Sequence, residues 1–288
     1  MKTDKFEMIA APDFDLALTL DSGQTFHWEK AGAGFVGAIG GRAVYVEQKA
    51  DQLFVSQGSA ALCAHYFALD HRLAEICASF PDDPVMQNAA AFCRGLRIMR
   101  QPRWECLATF ITSSMKQVAH IRQISRRLRE RFGASRSLGN EAVLIYPTPA
   151  QLAQATERDL RDCALGYRAK NLLATAQRIN RGEVDLDALA ELPDEELRAQ
   201  LCALPGVGAK VANCVMLFAY ERLRAFPIDV WVERVLTEKY FPRRRLLTAR
   251  QLREFSAQHF GEHGGYAQQY LFHHARKTAP RRLSPRAR

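Results

Sequence analysis

Lys210 in "LPGVGAK" and Asp229 in "FPIDVW" stand 19 positions apart, and an amine and a carboxylate at that spacing can do nucleophilic chemistry together. A neutral amine is a nucleophile. A distance of 19 positions suits one helix and a return, which can bring the carboxylate near the amine. Plainer roles stay open at this point: Lys210 as a solvated charge, and Asp229 as only the N-cap of "VWVERVL" behind the fixed Pro227. For Asp229, capping and catalysis are compatible.

These residues need elements to hold them. "PDEELRAQLCAL" opens on the start signal Pro193-Asp194 and carries Leu197, Leu201 and Leu204 at helical spacing. "PGVG" breaks that helix, and "AKVANCVMLFAY" resumes with Val211, Cys214, Val215 and Phe218 on one face. The pattern predicts a helix, a tight turn at Gly206, Val207 and Gly208, and a second helix. Glycines let the backbone approach a ligand, and the orphan N–H groups of the second helix attract an anion such as a DNA phosphate. Such a contact is blind to base sequence. A hairpin that merely turns has the same pattern.

The chain around this hairpin is 288 residues long, 48% hydrophobic, and carries a net charge of +9, which favours an anionic partner, nucleic acid first. Its seven cysteines are scattered and contain no C-x-x-C pair, so they read as reduced thiols in an intracellular protein. The N-terminus carries acids and no apolar core segment, and no long apolar stretch follows, which argues against secretion and membrane insertion.

Strand patterning fills the first part. "FDLALTL" alternates Phe14, Leu16, Leu18 and Leu20, and "GFVGAIGGRAVYVEQKADQLFVSQ" offers extended runs parted by Gly40-Gly41 and "KADQ", which predicts an antiparallel meander. From "SAALCAHYFAL" onward the period is helical, with Leu107, Phe110, Ile111, Val118, Ile121 and Leu128 in register. The expected fold is α+β. An N-terminal antiparallel β domain over 1–85 precedes a mostly α-helical domain over 86–275, and 276–288 is a basic, disordered tail. "HIRQISRRLRER" and "FPRRR" (Arg243, Arg244, Arg245) add positive charge, but a charge run is usually a solvated face, and no contact is assigned to them.

Taken together, these segments resemble the 8-oxoguanine DNA glycosylase/AP lyase family of the helix-hairpin-helix base-excision superfamily. The likeness covers nearly the whole chain: "LPGVGAKVANCVMLFA" with "FPIDV" resembles the hairpin, lysine and aspartate, "SGQTFHW" a stretch of the N-terminal domain, "LGYRAKNL" the wedge, and "YAQQYLF" the base-pocket helix. Hairpin and Lys/Asp spacing are shared by several glycosylases; their combination with "SGQTF" and "AQQYLF" is narrower.

The resemblance implies that Lys210 attacks C1′ of the damaged nucleotide, displaces the base and forms a Schiff base that leads to strand cleavage, with Asp229 stabilising charge on the sugar. It implies a pocket in which the Gly23 carbonyl senses the N7–H of the oxidised base, Cys214 and Phe272 sandwich the ring, and Gln268 meets the Watson–Crick edge. Tyr167 takes the place of the wedge, and Arg168 that of an arginine reading the orphaned cytosine. No cofactor is required, and with no cysteine after Cys214 an iron–sulfur cluster is excluded. A monovalent cation on hairpin carbonyls belongs to the same expectation. The implied partner is double-stranded DNA containing oxidised guanine, met by a monomer in the cytoplasm or nucleoid of a bacterium or the nucleus of a eukaryote.

The chain departs from the family on the opposite-strand side. An asparagine-rich run with an arginine beyond it is replaced by "SSMKQVAH", which puts Met115, Lys116 and His120 there and leaves opposite-base selectivity open. "DVW" likewise puts Trp231 where a phosphate-contacting histidine is often found. Two other readings compete: an alkylated-base glycosylase of the same superfamily, which Lys210 argues against, and a damaged-DNA-binding module without catalysis, which the presence of both Lys210 and Asp229 argues against.

Overall fold

The computed structural model describes residues 6–113, 117–139, 141–243 and 247–279. Met115, Lys116, Arg244, Arg245 and the tail from 280 onward lie outside them. Five strands, β1 (Phe6–Ala10), β2 (Glu29–Ala31), β3 (Gly34–Ile39), β4 (Arg42–Lys49) and β5 (Gln52–Ser56), form an antiparallel sheet in the order β1-β5-β4-β3-β2. β2 to β5 are the expected meander. Two-residue turns at Gly40-Gly41 and Ala50-Asp51 set its register, pairing Ile39 with Arg42 and Lys49 with Gln52. β1 returns to pair with β5.

The strand expected over "FDLALTL" is instead a helix, Leu16–Asp21. Leucines at every second position also contain an i, i+4 pair, and here the cap decides the outcome. Asp15 Oδ1 accepts the Leu18 N–H at 2.8 Å, and Leu16, Thr19 and Leu20 turn inward together. Beyond Ser56 the chain is helical apart from a hairpin, β6 (Ser135–Leu138) and β7 (Glu141–Leu144), where the sequence had shown only a break. Val143 and Ile145 pack on Ala38 and Ala43, so the helical half reaches back to the sheet.

Two cores result. Val44, Val46, Leu53 and Val55 close over Tyr66 and Phe67 beneath the sheet, while a larger cluster runs through the helices from Leu73 and Ile76 to Leu271. The segment "SGQTFHW" crosses from one to the other under tight control. Gln24 donates to the Arg97 carbonyl at 2.8 Å and accepts the Met99 N–H at 2.9 Å, and its own carbonyl accepts from Gln101 at 2.8 Å. Gln269 holds the Ser22 carbonyl at 2.9 Å.

Most of the arginine run is employed internally. Arg122 pairs with Asp21, Arg126 with Glu130, and Arg131 with Asp159 and Asp162. Arg129 is buried against Glu105 with its guanidinium 5.1 Å from the Tyr146 ring centre. Arg276 and Lys277 belong to the last helix, Gly264–Thr278, and both reach Asp21.

Candidate active site

The predicted hairpin is present: helices Asp194–Cys202 and Ala209–Ala219 flank a turn at 204–208. Gly206 sits at φ +82°, where a Cβ would lie 2.8 Å from Asn171 Cβ, so both conformation and space call for glycine. The turn is closed by Val207 N–H donating to the Leu204 carbonyl at 3.1 Å and by Thr175 donating to the Pro205 carbonyl at 3.1 Å. Val207 is buried, whereas Gly206 and Gly208 are exposed. Gly208 caps the second helix without a side chain, which leaves the first N–H groups of that helix without an intrahelical partner.

Lys210, half-buried, extends from this helix start to within 3.5 Å of Ser113 Oγ, with its ammonium 5.2 Å from the Phe110 ring centre. Ser113 Oγ–H is committed to the Phe110 carbonyl at 2.8 Å, so its oxygen faces the lysine as acceptor. Phe110 in turn stacks on Phe218 at 5.4 Å and takes the edge of Phe26 at 6.2 Å. The lysine therefore stands over an aromatic floor. Neither Ser113 nor Phe110 was singled out in the sequence; Ser113 was visible in the "SS" run, and Phe110 reads as one apolar residue among many.

Asp229 is held by the strap "FPIDV". Phe226 anchors it by stacking on Phe260 at 4.9 Å, and Asp229 then caps the helix Val230–Val235, its Oδ1 accepting from Trp231 N–H at 3.0 Å and Val232 N–H at 2.9 Å. Both bonds fall on one oxygen. Burial raises the carboxyl above its ordinary value, while those N–H groups and the Lys210 charge pull it back.

One cavity of about 1090 Å³ gathers the expected residues: Lys210, Asp229, Gly23, Cys214, Gln268 and Phe272 all line it, as do Gly206 and Gly208. Four separate elements supply them. Cys214 lies one turn beyond Lys210, and burial pushes its thiol up to about 11, so it presents a neutral, polarisable face. Gly23 is at φ +90°, close against the Phe272 ring. The carbonyls on either side of it accept from Gln269 and Gln101, and among the described residues nothing donates to the Gly23 carbonyl. Gln268 is buried, and its Oε1 has no hydrogen-bond partner among the described residues. Two acceptors thus stand ready in one cavity.

Tyr167, Arg168 and His120 are not among the residues lining this cavity, and Met115 and Lys116 lie outside the described residues. Tyr167 is 58% exposed at the start of the helix Arg168–Asn180, with Gly166 at φ +60° before it. Arg168 is buried, its guanidinium 4.3 Å from the Tyr167 ring centre. His120 is exposed on the first turn of the helix Val118–Phe132. Among the described residues no group of three or more His, Cys, Asp or Glu could hold a metal, and no helix is long and apolar enough to cross a membrane.

Comparison with known proteins bears on the family and the fold. Residues 8–107 match the family model "8-oxoguanine DNA glycosylase, N-terminal domain", and 108–258 match "HhH-GPD superfamily base excision DNA repair protein". The N-glycosylase/DNA lyase OGG1 of Arabidopsis thaliana is 30% identical over 280 residues, spanning 90% of this chain and 77% of that protein. The 8-oxoguanine glycosylase/lyase of Clostridium acetobutylicum, solved with double-stranded DNA containing cytosine opposite 8-oxoG, superposes with a TM-score of 0.87 at 30% identity, covering 96% of this chain and 99% of that one. A 3-methyladenine DNA-glycosylase from Archaeoglobus fulgidus shares the fold at 20% identity and a TM-score of 0.78, over 94% of this chain and 98% of its own.

Proposed function

The chain belongs to the 8-oxoguanine DNA glycosylase family of the helix-hairpin-helix base-excision superfamily, and from that premise we propose that it excises 8-oxoguanine from duplex DNA and cleaves the abasic strand through Lys210. The observation that carries this reading is the single cavity in which an amine, a half-buried carboxylate and two unengaged acceptors converge. Extruding the base into it costs a few kcal/mol of unstacking. Inside, a guanine-type Watson–Crick edge offers N1–H and N2–H donors to Gln268 Oε1. The N7–H of the oxidised base, which normal guanine lacks, meets the Gly23 carbonyl. Phe272 and Cys214 form the walls.

The Lys210 amine then attacks C1′, the glycosidic bond breaks, and its electron pair leaves with the base nitrogen, which takes up a proton. Asp229, with Oδ1 tied to two N–H groups, keeps its other oxygen for the positive charge on the sugar. Ring opening gives the Schiff base, and loss of a C2′ proton eliminates the 3′ phosphate. The hairpin N–H groups receive a backbone phosphate. At the turn the Ala203 carbonyl accepts from the Arg178 guanidinium at 2.9 Å, which brings positive charge to the hairpin. No step is routed through an ion.

Borohydride trapping tests the proposal, on duplexes with 8-oxoguanine opposite each of the four bases, beside undamaged and abasic controls. A covalent complex that needs the lesion, forms with wild type and is absent with Lys210→Gln is the expected result, with DNA binding by the variant retained. The four pairings also read the opposite-base selectivity. Trapping on abasic DNA alone would move the substrate to another base, and lyase activity retained in Lys210→Gln would move the nucleophile elsewhere.

A further inference from the structure

Trp231 is the aromatic side chain in the site that the fold does not use. The other two tryptophans are employed: Trp28 donates to Tyr66 OH at 3.2 Å and packs on Tyr66 and Phe67, and Trp104 donates to the Pro147 carbonyl at 2.8 Å and packs against the helical core. Trp231 is half-buried, and among the described residues its indole makes no hydrogen bond or ring contact and belongs to no hydrophobic cluster. It nevertheless lines the large cavity, on the helix that Asp229 caps, with its own N–H on Asp229 Oδ1. Its neighbour Val230 is 76% exposed at the same helix start. An apolar residue left in water and an indole only half covered, side by side next to a carboxylate, are an arrangement that folding alone does not call for.

We propose that the Trp231 indole closes over the deoxyribose of the extruded nucleotide and excludes water from C1′, so that the Lys210 amine rather than water takes the sugar. The inference rests on the glycosylase reading above and deepens it. The base end of the cavity is occupied by Gly23, Gln268 and Phe272, whereas Trp231 adjoins Asp229 and is therefore placed for the sugar. Two channels compete there, and both break the glycosidic bond with the electron pair leaving on the base. In one, the amine nitrogen bonds to C1′, the C1′–O4′ bond opens, and O4′ takes the nitrogen's proton to leave a Schiff base. In the other, a water oxygen bonds to C1′ and gives its proton to Asp229, leaving an abasic sugar with no covalent link. Which one wins depends on whether water is kept out while the amine is held at reacting distance.

The test is a single-turnover reaction on an 8-oxoguanine duplex, with base release and borohydride-trapped enzyme both counted at early times. For Trp231→Ala we expect trapped complex per base released to fall by about tenfold. Trp231→Phe, which keeps an apolar ring, stays within about twofold of wild type. Tryptophan fluorescence supplies an independent readout. A duplex carrying a tetrahydrofuran abasic analogue quenches the wild type and not Trp231→Phe, because Trp28 and Trp104 are engaged elsewhere. An unchanged ratio in Trp231→Ala with normal base release would overturn this inference alone, as would quenching retained in Trp231→Phe. Absence of base release in the wild type would overturn the glycosylase reading and this inference with it.

Discussion

A Cβ built on Gly23 would lie 3.0 Å from Cε1 of Phe272, and Gly23 is held at φ +90°. The glycine proposed to carry the base-sensing carbonyl and the ring proposed to form one wall of the base slot are thus in mutual contact, and a side chain at position 23 fits only if the ring moves. Gly23→Ala strains the backbone by roughly 1–2 kcal/mol and pushes the ring into the slot. We expect kcat/KM for 8-oxoguanine to fall by about tenfold or more, with a modest drop in Tm. Full excision with the same small loss of Tm would show that the base does not stack on Phe272 with its edge on Gly23.

Asp229→Asn separates capping from chemistry. Asparagine caps as well as aspartate, and its Oδ1 can accept from the same Trp231 and Val232 N–H groups. Burial raises the Asp229 carboxyl above 3.8, so the folded state holds the proton more tightly than the unfolded one. Stability contributed by this group is therefore lost as pH rises from 3.8 through the raised value, and the loss is complete above it. The variant should be the more stable protein at pH 7, with the difference vanishing below pH 3.8, and it should release no base. Asp229→Ala, which removes the cap, should instead lose about 1 kcal/mol. Tm against pH for the three proteins checks the sign.

Gln268→Met follows the same logic for recognition. A buried acceptor without a partner costs about 1–3 kcal/mol, and an apolar side chain of similar length removes that cost. The variant should gain about 1 kcal/mol in urea unfolding and lose excision of 8-oxoguanine, while trapping on abasic DNA, which presents no base, persists. Unchanged stability would mean that Gln268 Oε1 is already satisfied in the free protein.

What the sequence made legible was whatever its own neighbours determine. The hairpin was readable because Pro205, Gly206 and Gly208 act within a few residues, and the meander because its turns and alternation are local. Leu16–Asp21 went astray because two leucines at i and i+4 satisfy both periods, and the Asp15 cap settles the matter. The cavity was not derivable from patterning. Ser22 and Gln269 are 247 positions apart when they hydrogen-bond, and only the family resemblance had brought Gly23 beside Gln268. The arginine run was unreadable for the same reason, since the acids that neutralise it, Asp21, Glu105 and Asp159, come from other elements.

Of those pairs, Glu105 with Arg129 supports the site from beneath. Both are buried: Glu105 precedes Phe110 and Ser113 on the helix Arg103–Ser113, and Arg129 lies on the next helix and donates to the carbonyl of Leu144, the last residue of β7. His27, at the end of "SGQTFHW", stands 3.2 Å from the same carboxylate, with burial holding the imidazole down at about 4 and therefore neutral at pH 7. Its Nε2–H then donates to the Ala38 carbonyl at 2.7 Å and Nδ1 accepts from Thr25 at 3.0 Å, which leaves Arg129 as the charge that balances Glu105. Removing one member leaves the other ion uncompensated in the interior. Glu105→Ala should cost about 3–5 kcal/mol in urea unfolding, whereas replacing both members by apolar residues of similar volume should cost much less. Because the Glu105–Arg129 pair lies between the helix under Lys210 and the segment carrying Gly23, the single variant should also lose excision activity at temperatures where it is still folded. A Glu105→Ala protein that unfolds earlier yet keeps wild-type kcat below its transition would confine the pair to stability alone.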